Sequence, residues 1–350
     1  MTNFNKREPE RASILLIYTG GTIGMKEDPA DGTLKPFDFE QIMEEVPELR
    51  KFALKIDSYT FDPLIDSSDV EPGLWQSLSS LIKEKYDGYD GFVVLHGTDT
   101  MAYSASALSF MLENLGKPVV FTGSQLPIGS PRTDGKENLV SAVEIASTRA
   151  ADGSALVPEV CICFNSLLLR GNRAMKVNAD EFDAFRSPNI SPLASIGITI
   201  RYNFDMINKI PSAPFSIQKE LDTRVSILKI HPGITPQVVR NILLGSETRA
   251  VIIETYGSGN ALSKEWFISI VREANAKGKI LLNVTQCLAG RVNMNLYATG
   301  KQLQASGVIG GGDMTTESAL AKLFYLMGGT SDNQLVKSRL EQNLRGEISL

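Results

Sequence analysis

Short apolar runs alternate along the chain with longer segments whose apolar positions recur at helical spacing. The runs at 13–18, 92–96, 118–123, 159–165, 195–200, 224–230, 250–256 and 280–285 are nearly all too apolar for a half-exposed antiparallel sheet, and predict buried parallel strands. Amphipathic patterns at 73–85, 101–115, 137–149, 236–244, 263–277 and 317–327 fall between them. Strand and helix in alternation is the βαβ arrangement of an open, doubly wound α/β sheet. The pattern fails around 208–219, where Pro211 and Pro214 remove backbone donors and disfavour regular structure. A linker over 208–223 is therefore expected. It divides a larger N-terminal doubly wound (flavodoxin-like) domain, 1–207, with about five strands, from a smaller C-terminal α/β domain, 224–350, with three.

Composition narrows the chemistry. At 350 residues with 43% apolar and 21% charged positions, the chain has the make-up of an ordinary globular protein with a sizeable core. Lys plus Arg number 35 against 40 Asp plus Glu, a net charge of −5, which lacks the basic excess that a nucleic-acid backbone demands. No run approaches the ~18 apolar residues of a membrane span. Only two histidines, His96 and His231, and three cysteines are present, too few for a His-rich or Cys-rich metal centre. Cys161 and Cys163 sit two apart in one apolar run, so both point to the same side of a strand, and with Cys287 distant there is no C-x-x-C redox motif. Reduced, buried thiols are the simpler expectation. The first twelve residues carry Lys6, Arg7, Glu8, Glu10 and Arg11, and the following apolar run is too short for a signal core. A cytoplasmic protein is expected, with no metal or other cofactor.

In sheets of this class ligands bind beyond the carboxyl ends of the strands, and three constellations lie there. The first strand runs into Thr19-Gly20-Gly21-Thr22-Ile23-Gly24. Its glycines permit positive φ and close backbone approach, so that Thr22 is presented either as a nucleophile or merely within a tight turn. The spacing is not that of a phosphate loop. The second is His96-Gly97-Thr98-Asp99-Thr100-Met101 at the start of an amphipathic pattern. Thr98 and Asp99 either cap that helix or face the same cleft as Thr22, and His96 is read as a core histidine. The third is Arg170-Gly171-Asn172-Arg173-Ala174-Met175-Lys176. A lone lysine is usually solvated, but one partly desolvated beside an aspartate serves as a proton acceptor.

Together, the Thr19–Gly24 and His96–Met101 segments, each after a buried strand and about 75 residues apart, resemble the two signatures of the bacterial-type asparaginase/glutaminase family. Further segments resemble its cytosolic type I branch: Asp66-Ser67-Ser68-Asp69, Gly123-Ser124-Gln125, Gly171-Asn172-Arg173 with Lys176, Asp183-Ala184-Phe185, Tyr256-Gly257-Ser258-Gly259-Asn260 and Thr285-Gln286-Cys287. The resemblance covers nearly the whole chain and implies the same two-domain layout, usually as a homodimer or homotetramer. It implies hydrolysis of the side-chain amide of L-asparagine to L-aspartate and ammonia, with Thr22 as nucleophile forming an acyl-threonine ester. Thr98, Asp99 and Lys176 are implied as a second catalytic triad. Asp99 matches the position that holds the substrate ammonium, Ser67 with nearby N–H groups the one that holds its carboxylate, Asp66 and Ser68 positions lining the pocket, and Ser124 a contact to the scissile amide.

Two departures from the family pattern stand out. Members often have a tyrosine in the loop after the first signature, but 25–36 contains none and Thr33 takes its place. With Pro29, Gly32 and a net negative charge, that loop reads as a flexible lid. Type I members also carry a regulatory asparagine site built partly from an arginine and a threonine, whose positions here are Glu254 and Met175. Asn260 and Cys287 match that site, but a glutamate repels a carboxylate, so the site is expected to be absent or altered.

The rival readings are a glutaminase-leaning or dual amidohydrolase, separated by only ~1–3 kcal/mol of pocket discrimination, and a non-catalytic amino-acid sensor on the same fold. A tRNA-dependent amidotransferase subunit is disfavoured because 18 residues precede Thr19. A nicotinamide oxidoreductase lacks its fingerprint.

Overall fold

Residues 12–27, 34–36, 42 and 44–349 are described by a computed structural model. Eight strands form the N-terminal sheet: β1 Ser13–Tyr18, β2 Lys55–Thr60, β3 Gly91–Leu95, β4 Val119–Thr122, β5 Val160–Phe164, β6 Leu167–Arg170, β7 Ala194–Ile196 and β8 Ile200–Tyr202, in the order β8-β7-β6-β5-β4-β3-β1-β2. From β2 to β5 every pairing is parallel. Alternate side chains of these strands enter two different cores, which explains their continuous apolar character. Leu15, Ile17, Phe92, Val94, Val119 and Phe121 face helices α1 (Pro72–Lys85) and α2 (Met101–Met111). Ile14, Leu16, Val93, Leu95, Val120, Cys161 and Cys163 face helix α3 (Gly135–Ser147). Both cysteines are buried on the same side, and burial pushes the Cys163 thiol up to about 12.

The sheet is mixed rather than wholly parallel. β5 turns into β6 through Asn165 and Ser166, both at positive φ (44° and 62°), the backbone that closes a two-residue hairpin. β6, β7 and β8 are antiparallel in turn. The run at 195–200, expected as one buried parallel strand, is the hairpin of β7 and β8, with Ile198 fully exposed at its tip. Its apolar residues alternate with Ser195 and Gly197 and cover only one face. β2 escapes the apolar criterion because it is a largely exposed edge strand, Lys-Ile-Asp-Ser-Tyr-Thr.

The C-terminal sheet is parallel throughout, in the order β9 (Val225–Lys229), β10 (Ala250–Thr255), β11 (Ile280–Thr285), β12 (Ile309–Gly310). Helices α4 (Pro236–Leu243), α5 (Glu265–Ala276) and α6 (Ala298–Ala305) accompany it, α4 and α5 covering one face. Its other face, lined by Ile252, Ile280 and Leu282, joins the core of the N-terminal sheet through α7 (Thr316–Gly329). Phe110 of α2 stacks on Tyr325 of α7 at 5.9 Å between ring centres. Short helix α8 (Asn333–Leu340) follows. The segment around the two prolines is bound to the N-terminal sheet's helices: Ser216–Ile217 pairs with Leu112–Glu113, and Phe215 stacks on Tyr86 at 3.8 Å.

β1 leads to β2 on one flank, and β3 returns on the other. The order of strands reverses there, opening a crevice beyond the carboxyl ends of β1 and β3.

Candidate active site

Glycine brings three segments together at that crevice. Thr19 extends the ladder, its N–H and hydroxyl both donating to the Leu95 carbonyl at 3.0 and 2.9 Å. Gly20 and Gly21 then adopt φ of 134° and 92°. A Cβ on Gly21 would lie 2.4 Å from the Gly97 nitrogen, and one on Gly97 would lie 2.6 Å from the Ser67 side chain. Only bare backbone fits at such approaches, so the segments bearing Thr22, Ser67 and Thr98 are in direct contact. Thr22 opens a 3-10 turn, Thr22–Gly24, and is half-buried. The buried hydroxyl of Tyr18 fastens this turn, donating to the Gly24 carbonyl at 2.9 Å and the Gly21 carbonyl at 3.4 Å.

Thr98 and Asp99 follow β3 and meet Lys176. The lysine ammonium donates to Thr98 Oγ1 at 2.8 Å and to Asp99 Oδ1 at 2.7 Å. Thr98 in turn donates to Gln125 Oε1 at 3.3 Å, and Gln125 donates to the Glu181 carbonyl. Neither Thr98 nor Asp99 caps α2: the residue at the cap is Thr100, whose hydroxyl donates instead to the Ser67 carbonyl at 2.7 Å. Ser67 is buried, with Oγ 3.4 Å from the Asp99 N–H and 3.5 Å from Asp99 Oδ2. Asp99 keeps 60% of its side chain open to solvent, whereas Lys176 keeps 18%.

Asp66 is turned onto its neighbour, accepting from the Ser68 N–H and hydroxyl at 2.9 Å each, and these bonds hold its carboxyl below the usual range. Ser124 is buried and donates to the Leu126 carbonyl. His96 is a core residue, as its place in the apolar run suggests. Its Nδ1 donates to the Gly97 carbonyl at 2.7 Å, its Nε2 meets Ser104 Oγ at 2.9 Å, and Trp75 donates to the same hydroxyl. Because a carbonyl only accepts, Nδ1 carries a proton, and burial, which pulls the pKa down to about 4, favours the neutral ring.

Several supporting residues have roles that the sequence reading did not assign, although Gln125 and Arg173 lie within its motifs. Gln125 and Tyr18 both sit at strand ends, where a polar tip after an apolar run is the available signal. Arg173 is buried and reaches the C-terminal domain, donating to both oxygens of Asp313 at 3.1 and 2.7 Å and to the Glu347 carbonyl at 2.6 Å. It anchors the turn from which the strand Met175–Lys176 emerges. Nothing local in the sequence marks that anchor, because its partner lies 140 residues away. Of the residues matched to a regulatory site, Cys287 lines an interdomain cavity with Glu254 and Met175, while the Asn260 side chain accepts from Thr299 at 2.7 Å. Thr33 and loop residues 28–33 lie outside the described residues. Among the described residues no group of three or more His, Cys, Asp or Glu is placed to hold a metal, and no helix is long and apolar enough to cross a membrane.

Two family models match the chain: "Asparaginase, N-terminal" over residues 13–208 and "Glutaminase/Asparaginase C-terminal domain" over 224–339. The chain belongs to the asparaginase family. Among asparaginases, L-asparaginase 1 of Escherichia coli (strain K12) is 44% identical to it over 352 residues, covering 97% of this chain and 99% of that protein. The crystal structure of L-asparaginase I from Vibrio cholerae matches with a TM-score of 0.88 and 42% identity, covering 97% of this chain and all of that one. The thermostable L-asparaginase from Thermococcus kodakarensis matches with the same TM-score at 32% identity, over 96% and 99%.

Proposed function

We propose that the protein is an L-asparaginase, hydrolysing the side-chain amide of L-asparagine to L-aspartate and ammonia. The observation that carries the reading is Lys176 bridging the Thr98 hydroxyl and the Asp99 carboxylate beside the Gly21–Gly97 contact. The full-length relatives named L-asparaginase support asparagine over glutamine as substrate.

In this mechanism the Thr22 hydroxyl oxygen attacks the amide carbon, its proton leaves to a base, and the C–N bond breaks as the nitrogen departs protonated as ammonia. Water then attacks the acyl-threonine ester, restoring Thr22 and releasing aspartate. Asp99, exposed at the crevice, receives the substrate ammonium, and Ser67 with adjoining N–H groups receives its carboxylate. Asp66 and Ser68 shape the same wall, and Ser124 contacts the scissile amide. As an ammonium Lys176 can only donate. The neutral amine, held at the same place between Thr98 and Asp99, is positioned to take a proton from Thr98 or from a water beside it.

Glu254, in the position that would otherwise attract a carboxylate, leads us to expect the regulatory asparagine site to be absent or altered. A cytosolic homodimer or homotetramer completes the proposal and is checked by light scattering. The deciding experiment follows ammonia release against a concentration series of L-asparagine, with L-glutamine in parallel. A hyperbolic asparagine profile is expected, with Thr22→Ala lowering kcat by about 10^3-fold or more in a folded protein. Near-normal turnover by Thr22→Ala would remove Thr22 as nucleophile, and a sigmoidal profile would restore a regulatory site.

A further inference from the structure

A cavity of about 260 Å³ lies between the two domains, separate from the strand-end crevice. Glu317, in the first turn of α7, lines it; the residue is only 9% exposed, and its Oε2 has no hydrogen-bond partner among the described residues. A buried carboxylate oxygen without a donor is costly. Glu254, near the end of β10, lines the same cavity, with one oxygen accepting from Thr316 at 2.7 Å and the other 3.8 Å from Lys229 Nζ. Tyr103 faces both carboxylates, and its hydroxyl is pushed up to about 12 by burial and then by the charges of Glu317 and Glu254.

We propose that this cavity is a second ligand site, built to take a small primary ammonium cation that carries no carboxylate. Two carboxylates outweigh the single Lys229, whose side chain is 67% exposed, so the cavity favours positive charge and repels an anion. A primary ammonium brings three donors, one for Glu317 Oε2 and others for Glu254 and the neighbouring threonine hydroxyls. A water molecule supplies donors but no charge and leaves the two carboxylates unbalanced. The volume leaves room for a short alkyl group beside Met175 and Tyr103. Burial, together with the charge of Glu254, raises the Glu317 carboxyl above its ordinary range, a strain that a bound cation relieves.

The site is assigned by binding and does not depend on the asparaginase reading. Calorimetric and thermal-melting titrations of the full chain with methylammonium chloride test it, with potassium and tetramethylammonium chloride matched in ionic strength. Saturable binding of methylammonium is expected, with neither control reproducing it. Glu317→Gln, which keeps the shape and removes the charge, should weaken binding by about tenfold or more. Lys229→Met, at the exposed mouth, should tighten it. Asp99→Asn, at the other site, should leave it unchanged. An equal response to potassium, unaltered affinity in Glu317→Gln, no tightening in Lys229→Met or loss of binding in Asp99→Asn would each overturn the proposal.

Discussion

Lys176 lies 2.7 Å from Asp99 and Lys322 lies 2.6 Å from Glu347, but the two pairs have opposite surroundings. Lys322 and Glu347 are wholly buried, and all three ammonium donors are engaged, by Glu347, the Leu340 carbonyl and the Gln342 carbonyl. The Glu347 carboxylate is also saturated, accepting from the Leu344 and Arg345 N–H groups. Lys176 has two protein acceptors among the described residues, one of them a hydroxyl, and its carboxylate partner is mostly open to solvent. Separation alone therefore does not tell a strut from a proposed reactive centre. What differs is the number of bonds left unspent and the access of a second charge.

The sharpest way to break this contrast is to remove each lysine. Lys176→Met should lower kcat by about 10^2- to 10^4-fold, with the melting temperature near that of the parent protein. Unaltered ammonia release would make it a surface lysine. Lys322→Met should do the reverse, costing about 3–5 kcal/mol of stability by stranding the buried Glu347 charge, with the kinetics of the folded fraction unchanged. Denaturant unfolding reads that loss, and a change below about 1 kcal/mol would put the pair with weak surface bridges.

His96 sharpens the contrast by adding a buried group that carries no charge. Its folded pKa, about 4, lies below the ordinary 6.5, so the unfolded chain binds the proton more readily throughout that window. Its contribution to stability is complete above pH 6.5 and falls by roughly 3 kcal/mol as the pH drops toward 4. Chemical unfolding across this range should show a shallower decline in His96→Gln than in the parent. The smallest expected effect belongs to Tyr18→Phe, which removes the bonds fastening the Thr22 turn. About 1 kcal/mol of stability should be lost, and kcat should fall while KM changes little, which separates positioning of Thr22 from substrate binding.

Much of the site was legible because its residues follow apolar runs: Thr22 after β1, and Thr98 and Asp99 after β3. Their assembly with Lys176 was implied by the family resemblance but not by local pattern, since the lysine sits on a two-residue strand whose turn is anchored from the other domain by Asp313. The fold was read well for β1, β3, β4, β5 and β9 to β11, and badly for the exposed edge strand β2, the short antiparallel β6 and the β7–β8 hairpin. Glu317 escaped notice altogether. A glutamate in the first turn of a helix reads as an ordinary response to the helix dipole, and only tertiary packing makes it a buried acid.

The core shared by the two sheets has a thermodynamic consequence. Helix α2, whose start carries Thr98 and Asp99, is packed on α7 from the other domain, so neither sheet can lose its structure without exposing apolar surface of the other. Heating should therefore give one calorimetric peak whose measured and van't Hoff enthalpies agree. By the same coupling, a substitution in the core face of α7 should reach the strand-end crevice as a loss of cooperativity, with no contact to the substrate.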